Sequence, residues 1–93
     1  MALIVQKFGG SSVADVDRVR HVAGIITDTY KAGNDVVVVL SAQGKTTDKL
    51  LAMAREYNPN ASKRELDQLL STGEQQSVAL CAMMIQSMGY PVV

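Results

Sequence analysis

The chain is organised around one turn near its start, Lys7-Phe8-Gly9-Gly10-Ser11-Ser12-Val13. Four apolar residues at positions 2–5 come before it and are typical of a short buried strand that runs into Lys7. A helix is predicted directly after the turn. Two adjacent glycines allow positive φ angles and carry no Cβ atom, so the backbone amides can approach a ligand closely.

The chemistry of this turn suits an anion, in particular phosphate. The first N–H groups of a helix lack an intrahelical acceptor, and the helix dipole is positive at that end. Lys7 adds a positive charge, and the hydroxyls of Ser11 and Ser12 add further donors. Spacing alone leaves a second interpretation open, in which the glycine pair is an ordinary strand-to-helix turn, one of the two serines caps the helix and Lys7 is solvated.

Length and composition indicate one small domain and argue against several functions. Nine basic and nine acidic residues balance among 93, so no nucleic acid partner is expected. The longest apolar run, at 36–40, is much shorter than the roughly 20 residues that span a bilayer, and no signal peptide pattern opens the chain. We therefore expect a cytoplasmic protein with no membrane partner. Cys81 lies in an apolar stretch and is expected to be an inert buried thiol.

Apolar residues recur at helical spacing from Asp15 and predict an amphipathic helix that ends at Gly33. The continuous apolar run Val36–Leu40 then predicts a strand buried on both faces, as in a parallel sheet covered by helices on each side. With a right-handed crossover, the strand ends at Lys7 and Ser41 emerge at one edge of the sheet, where open α/β sheets bind ligands.

A second polar loop follows this strand, Ser41-Ala42-Gln43-Gly44-Lys45-Thr46-Thr47-Asp48. Its Gly-Lys-Thr is not a nucleotide-binding P-loop, because Val39 stands where that motif needs its first glycine. A helix is predicted from Thr46 or Thr47 to Tyr57. Ser41 and Thr47 would then lie beside the first loop, with the ligand between the two loops. The alternative is that Thr46 or Thr47 only caps the helix.

The last third of the chain predicts two helices and the start of a third strand. Ser62 caps a short helix that ends at Leu70, and an apolar core helix spans 74–88 after an interruption. Glu74 would lie at the start of that helix, and spacing favours a dipole partner over a ligand for an ammonium group. Residues 89–93 begin an extended apolar run, so we expect a third strand and a chain that is part of a larger domain.

Three stretches taken together resemble the amino-terminal part of aspartate kinases, within the amino-acid kinase superfamily. These are Lys7–Val13, then Val38–Ala42 followed by Thr47, and then Leu70–Gln75. Their order and spacing separate aspartate kinases from the glutamate, acetylglutamate and uridylate kinases of the same fold. The resemblance covers residues 1–93. It implies a three-layer α/β/α sandwich with a mainly parallel sheet, incomplete in this chain.

The resemblance also implies an activity. Aspartate kinases transfer the γ-phosphoryl group of ATP, with Mg²⁺, onto the β-carboxylate of L-aspartate to give 4-phospho-L-aspartate. This is the first step of lysine, threonine and methionine biosynthesis. Phosphoryl transfer needs positioning and charge neutralisation rather than a covalent nucleophile, which agrees with a chain that offers cations, amides and hydroxyls.

By position, the resemblance implies three groups of site residues. Lys7 would be the catalytic residue that stabilises the transferred phosphoryl group. The phosphate-binding residues would be Gly9, Gly10 and Ser12. The residues that bind aspartate would be Ser41, Thr47 and Glu74. In this assignment Glu74 meets the α-ammonium group and is no longer only a dipole partner, and none of the seven is a metal ligand.

The nucleotide-binding half and the regulatory ACT domains of the family would lie beyond Val93. We therefore expect residues 1–93 alone to be inactive, and to form a homo-oligomer or to associate with the missing half through an unfinished sheet. Three alternatives stay open: a non-catalytic fragment that binds aspartate or phosphate, another member of the superfamily, and a structural role in which the loops are only turns.

Overall fold

Two parallel strands and three helices form the part of the chain that the computed structural model describes, residues 2–93. The elements are β1 (Leu3–Phe8), α1 (Val16–Lys31), β2 (Asp35–Leu40), α2 (Thr46–Tyr57) and α3 (Lys63–Ser87), with a 3₁₀ turn at Gly10–Val13 between β1 and α1. The strands pair in parallel, from Leu3 opposite Asp35 to Phe8 opposite Leu40. The prediction of an incomplete α/β fold with a parallel sheet is confirmed.

Helix α1 begins at Val16, directly after Asp15, where the apolar periodicity predicts its start, and a 3₁₀ turn that was not predicted separates it from the glycine pair. Its N-cap is Asp15, whose carboxylate accepts a hydrogen bond from the Arg18 N–H at 2.9 Å. The alternative in which Ser11 or Ser12 caps this helix is therefore wrong. At the other end, Gly33 takes a φ of +96°, which ends the helix near the predicted place.

The hydrophobic core lies between one face of the sheet and the helices α1 and α3. Its buried members are Val13, Val19, Val22, Ile26, Leu40 and Cys81. Burial raises the pKa of the Cys81 thiol, so the sulfur stays protonated and unreactive at neutral pH. The predicted burial of this cysteine is confirmed.

The opposite face of the sheet is open. Val37 and Val39 are each 47% exposed, and Leu3 and Val5 are 68% and 64% exposed. No helix among residues 2–93 covers this side, so the expectation that β2 is buried on both faces is wrong for the described residues. A run of valines indicates a strand that suits burial on both sides, but the covering layer has to come from other residues.

Helix α3 is one continuous helix, so the predicted interruption at residues 71–73 is wrong. The hydroxyls of Ser71 and Thr72 donate to carbonyls three residues earlier, at 2.7 Å each, and so remain within the helix. Ser62 is the N-cap, and its Oγ accepts from the Glu65 N–H at 3.4 Å, which confirms the predicted cap.

The second half of α3 is only partly a core helix. A narrow buried stripe runs along it through Gly73, Ser77 and Cys81. Val78 and Met83 are 52% and 61% exposed, which corrects the expectation of a helix buried around most of its circumference. Among the described residues, no helix is both long enough and apolar enough to cross a bilayer.

The chain after α3 turns back along the first helix. Gly89, with a φ of +89°, follows the helix end, and the Tyr90 ring packs edge-to-face on Tyr30 with centroids 5.9 Å apart. The Lys31 ammonium lies 5.6 Å from the Tyr90 centroid. Residues 90–93 have no strand partner in the structure, so the predicted third strand is not formed there.

Candidate functional site

The carboxyl ends of the two strands meet at one edge of the sheet, as predicted. The Ser41 N–H donates to the Phe8 carbonyl at 3.2 Å, and the Gly44 N–H donates to the Gly10 carbonyl at 3.0 Å. A Cβ atom on Gly10 would lie only 2.6 Å from the Ala42 carbonyl oxygen. The loops after β1 and β2 therefore pack backbone against backbone, which only a glycine at position 10 permits.

Helix α3 joins the same edge through its buried glycine. A Cβ atom on Gly73 would lie 3.0 Å from the Ala42 Cβ and 3.1 Å from the Thr46 Cγ2. The stretch that follows Leu70 in sequence therefore packs against the loop after β2. The tertiary fold thus brings together the three stretches that carry the resemblance to aspartate kinases.

Lys7 lies on the open face of the sheet. Residues of β1 alternate in exposure, and Lys7 is exposed whereas its neighbour Phe8 packs against the core. In the parallel register Lys7 is opposite Val39, which is exposed on the same face. The ammonium group is therefore presented at the carboxyl edge on the side away from α1 and α3.

The turn after β1 has two free backbone donors. The Ser12 N–H donates to the Gly9 carbonyl at 3.1 Å, which closes the 3₁₀ turn. Within residues 2–93, the N–H groups of Gly9 and Gly10 have no hydrogen-bond acceptor. A Cβ atom on Gly9 would have no neighbour within 4 Å, so the space beside this residue is open. Two amide donors and an exposed Ser12 side chain are available to an anion.

This geometry changes the physical basis of the predicted anion site. The prediction relied on the free N–H groups and the dipole at a helix N-terminus. That terminus lies at Asp15, where the carboxylate of the cap already accepts the Arg18 N–H. The groups that can face an anion at this turn are the Gly9 and Gly10 amides and the charge of Lys7, without the end of α1.

The three residues predicted to bind aspartate are all connected to the carboxyl edge of the sheet. Two of them follow β2 in the chain, and Glu74 follows Gly73, which packs against the loop after β2. Ser41 directly follows β2 and is half-buried, and Thr47 is exposed in the first turn of α2. No side-chain cap precedes α2, so the alternative in which Thr46 or Thr47 caps it is wrong. Glu74 is exposed next to Gly73 in the middle of α3. A dipole role at a helix start is therefore excluded for Glu74.

The side chains of these three residues are not joined to one another. No hydrogen bond or ion pair within residues 2–93 involves the side chain of Ser41, Thr47 or Glu74. Their hydroxyl and carboxylate groups are consequently free to contact a ligand. No three histidine, cysteine or acidic side chains within this range lie close enough to hold a metal ion.

Two grooves among residues 2–93 are lined by none of the predicted site residues. One, of about 340 Å³, lies between α2 and the start of α3 and is lined mainly by apolar side chains. The other, of about 570 Å³, lies between β2 and residues 90–93. The candidate site lies outside both grooves, at the carboxyl edge of the sheet.

One residue at this site was not predicted. The Arg18 Nη1 donates to the Ser11 carbonyl at 2.9 Å, which brings a second cation to the turn after β1. The sequence separates the two residues by seven positions, and their contact depends on the 3₁₀ turn that precedes α1. A helical pattern places Arg18 on the polar face of α1 and contains no signal for this contact.

Comparison with known proteins places the chain among kinases. The model of the amino acid kinase family matches residues 2–93. An aspartokinase from Geobacillus stearothermophilus is 54% identical over 93 residues, which cover 100% of this chain and 23% of the relative. An aspartokinase from Mycolicibacterium smegmatis is 61% identical over 89 residues, which cover 96% of this chain and 21% of the relative.

Among solved structures, the crystal structure of aspartate kinase from Synechocystis superposes with a TM-score of 0.94 at 50% sequence identity. The match covers 98% of this chain and 16% of that chain. The chain thus spans less than a quarter of the length of these relatives. It belongs to the amino acid kinase family, and its relatives from Geobacillus stearothermophilus and Mycolicibacterium smegmatis are aspartokinases.

Proposed function

We propose that the protein is an aspartate kinase and that this chain supplies the part of its active site that holds aspartate and faces the transferred phosphoryl group. One observation carries the proposal. The close approach of Gly10 and Gly73 to Ala42, in the loop after β2, brings all three aspartate-kinase-like stretches to one edge of the sheet. The identity to aspartokinases extends over the same residues.

The reaction is a transfer of a phosphoryl group between two oxygens. A β-carboxylate oxygen of L-aspartate bonds to the γ-phosphorus of ATP while the bond from that phosphorus to the bridging oxygen of ADP breaks. The products are 4-phospho-L-aspartate and ADP. Charge on the transferred group is balanced in this proposal by the Lys7 ammonium and by the N–H groups of Gly9 and Gly10, with the Ser12 hydroxyl as a further donor.

The substrate is held by the opposite side of the same edge. Ser41 and Thr47 donate hydrogen bonds to aspartate, and the Glu74 carboxylate accepts from its α-ammonium group. Support for this division comes from position: Ser41 directly follows β2, Thr47 is in the first turn of α2, and Glu74 follows Gly73, which packs against Ala42. Fixed donors and acceptors of this kind orient a small dicarboxylate before transfer.

ATP and magnesium belong to the proposed reaction. A Mg²⁺ ion in such sites is held largely by phosphate oxygens and water. We extend the proposal to a cytoplasmic enzyme of lysine, threonine and methionine biosynthesis that forms oligomers. Residues 1–93 alone are expected to be inactive, since the aspartokinase relatives are more than four times as long.

The proposal is tested by assaying the full-length protein with ATP, Mg²⁺ and a series of carboxylates. We expect ADP release with L-aspartate, and an acyl phosphate that hydroxylamine traps as aspartyl hydroxamate. L-Glutamate and N-acetyl-L-glutamate serve as controls for the other kinases of the family. Turnover with one of these and none with L-aspartate would assign the protein to another member of the family.

Two variants separate the proposed roles. Lys7→Met should lower kcat by roughly 10²–10³-fold, because a charge aimed at the transferred phosphoryl group is lost. Glu74→Gln should mainly raise the KM for aspartate, because the carboxylate that meets the ammonium group loses its charge. Lys63→Met is the matched control for Lys7→Met, since Lys63 is also exposed and lies at the start of α3. Unchanged kinetics in both site variants would leave only a structural role for the loops.

A further inference from the structure

We propose that Arg18 is a positioning residue that holds the turn after β1 in the shape that presents its free amides to phosphate. The inference rests on the proposed function, because it assigns that turn to the phosphoryl group. It adds a residue that neither the family resemblance nor the sequence pattern assigned. Its basis is the contact between the Arg18 Nη1 and the Ser11 carbonyl, at 2.9 Å.

The arginine is anchored at both of its ends. Its backbone N–H donates to Oδ1 of Asp15 at 2.9 Å, and its Nε lies 3.8 Å from Oδ2 of the same carboxylate. The side chain is 57% exposed, so this ion pair contributes little to stability. The ion pair instead orients the side chain, because the carboxylate that caps α1 also holds the guanidinium near the turn.

The contact completes the restraint of one peptide group. The peptide that links Ser11 to Ser12 has its carbonyl held by Arg18 and its N–H held by the Gly9 carbonyl, at 3.1 Å. The Gly10 carbonyl is held in turn by the Gly44 N–H at 3.0 Å. The bonded groups of the turn are therefore fixed, and the N–H groups of Gly9 and Gly10 are left to face a ligand.

The hydrogen bond from Arg18 also prevents an unfavourable contact between the Ser11 carbonyl oxygen and a bound anion. A free carbonyl oxygen beside an anion site would repel the phosphoryl group if the peptide rotated towards it. While the guanidinium binds the Ser11 oxygen, the peptide cannot rotate and present that oxygen to the anion. Donors that are already oriented require no reorganisation when the substrate binds, which is the condition for electrostatic stabilisation of a transition state.

The same helix contains a control residue. Arg20 forms an i,i+3 ion pair with Asp17 at 3.1 Å, and its side chain is 58% exposed. The spacing of the pair and the exposure of the arginine match those of Arg18, which is 57% exposed, but Arg20 makes no hydrogen bond to the turn. Any effect of helix charge or of an exposed ion pair should therefore appear equally in Arg18→Ala and Arg20→Ala.

The kinetic test compares Arg18→Ala, Arg18→Lys and Arg20→Ala in the full-length protein. Arg18→Ala should lower kcat by about ten- to a hundredfold while leaving the KM for aspartate almost unchanged, because loss of positioning acts on the transfer step. Arg18→Lys should recover part of kcat, since an ammonium group also donates to a carbonyl. Equal kinetic constants in Arg18→Ala and Arg20→Ala would overturn the proposal.

A second measurement does not depend on turnover. Amide hydrogen exchange of a peptide that covers residues 9–14 should become at least about threefold faster in Arg18→Ala and stay unchanged in Arg20→Ala. If the wild-type protein fails to phosphorylate aspartate, the proposed function is wrong, and this exchange measurement still decides whether Arg18 restrains the turn. Equal exchange in the two variants would show that it does not.

Discussion

At the scale of single residues, the two adjacent glycines of the first turn have different physical reasons to be glycine. Neither needs a positive φ angle, because positive φ occurs only at Gly33, Gly44 and Gly89 among the described glycines. Gly10 is required by contact, since any Cβ would meet the Ala42 carbonyl at 2.6 Å. Gly9 has open space beside it and a φ of −78°, so its backbone suits any residue.

The two positions should therefore respond differently to alanine. Gly10→Ala should destabilise the fold by roughly 1–3 kcal/mol, because the loops after β1 and β2 must separate to admit the methyl group. Gly9→Ala should change the free energy of unfolding by no more than about 0.5 kcal/mol. Denaturant unfolding of both variants measures the difference. A similar decrease in the free energy of unfolding at both positions would contradict the contact seen at Gly10.

At the scale of elements, α3 positions the site by approaching the loop after β2 closely. A helix interior normally disfavours glycine, so local preference at residues 71–73 indicates a break. The structure gives another reason for Gly73, because its missing side chain admits the Ala42 Cβ and the Thr46 Cγ2. That contact joins α3 to α2 and to the sheet edge, and it determines where Glu74 lies.

Helix α1 offers a matched comparison for this glycine. Gly24→Ala should stabilise the protein by roughly 0.5–1 kcal/mol, because a Cβ there would have no neighbour within 4 Å and alanine favours helix. Gly73→Ala should instead destabilise it by roughly 1–2 kcal/mol, because the Ala42 Cβ cannot rotate away. Thermal unfolding of the two variants tests this opposition of sign, and stabilisation by both would show that α3 has room to shift.

At the scale of the whole molecule, the described residues leave one face of the sheet uncovered. Its open face carries the exposed apolar side chains of Leu3, Val5, Val37 and Val39, and only two strands are paired within residues 2–93. Such a face and such strand edges favour contact with further protein. In the proposed enzyme that contact comes from the rest of the kinase domain.

The 93-residue chain on its own should therefore self-associate at micromolar concentration. The double variant Val5→Thr, Val37→Thr keeps residues that favour strands while reducing the apolar surface, so it should shift the equilibrium towards monomer. Val16→Thr is the control, because Val16 is 63% exposed and belongs to α1 rather than to the sheet. Sedimentation velocity measures the change, and equal association of the control and the double variant would argue against the open face.

The order of strands and helices as far as α2, the parallel pairing, the shared edge of Lys7 and Ser41 and the burial of Cys81 followed from the sequence because each depends on a local pattern or on a general rule of sheet topology. The continuity of α3 and the Arg18 contact did not, because the first depends on packing against residues distant in sequence and the second on the 3₁₀ turn that precedes α1. Gly73 is a helix breaker by local preference and a packing residue through Ala42 and Thr46. Local preference amounts to about 1 kcal/mol at such a position, and tertiary contacts of comparable size reverse it.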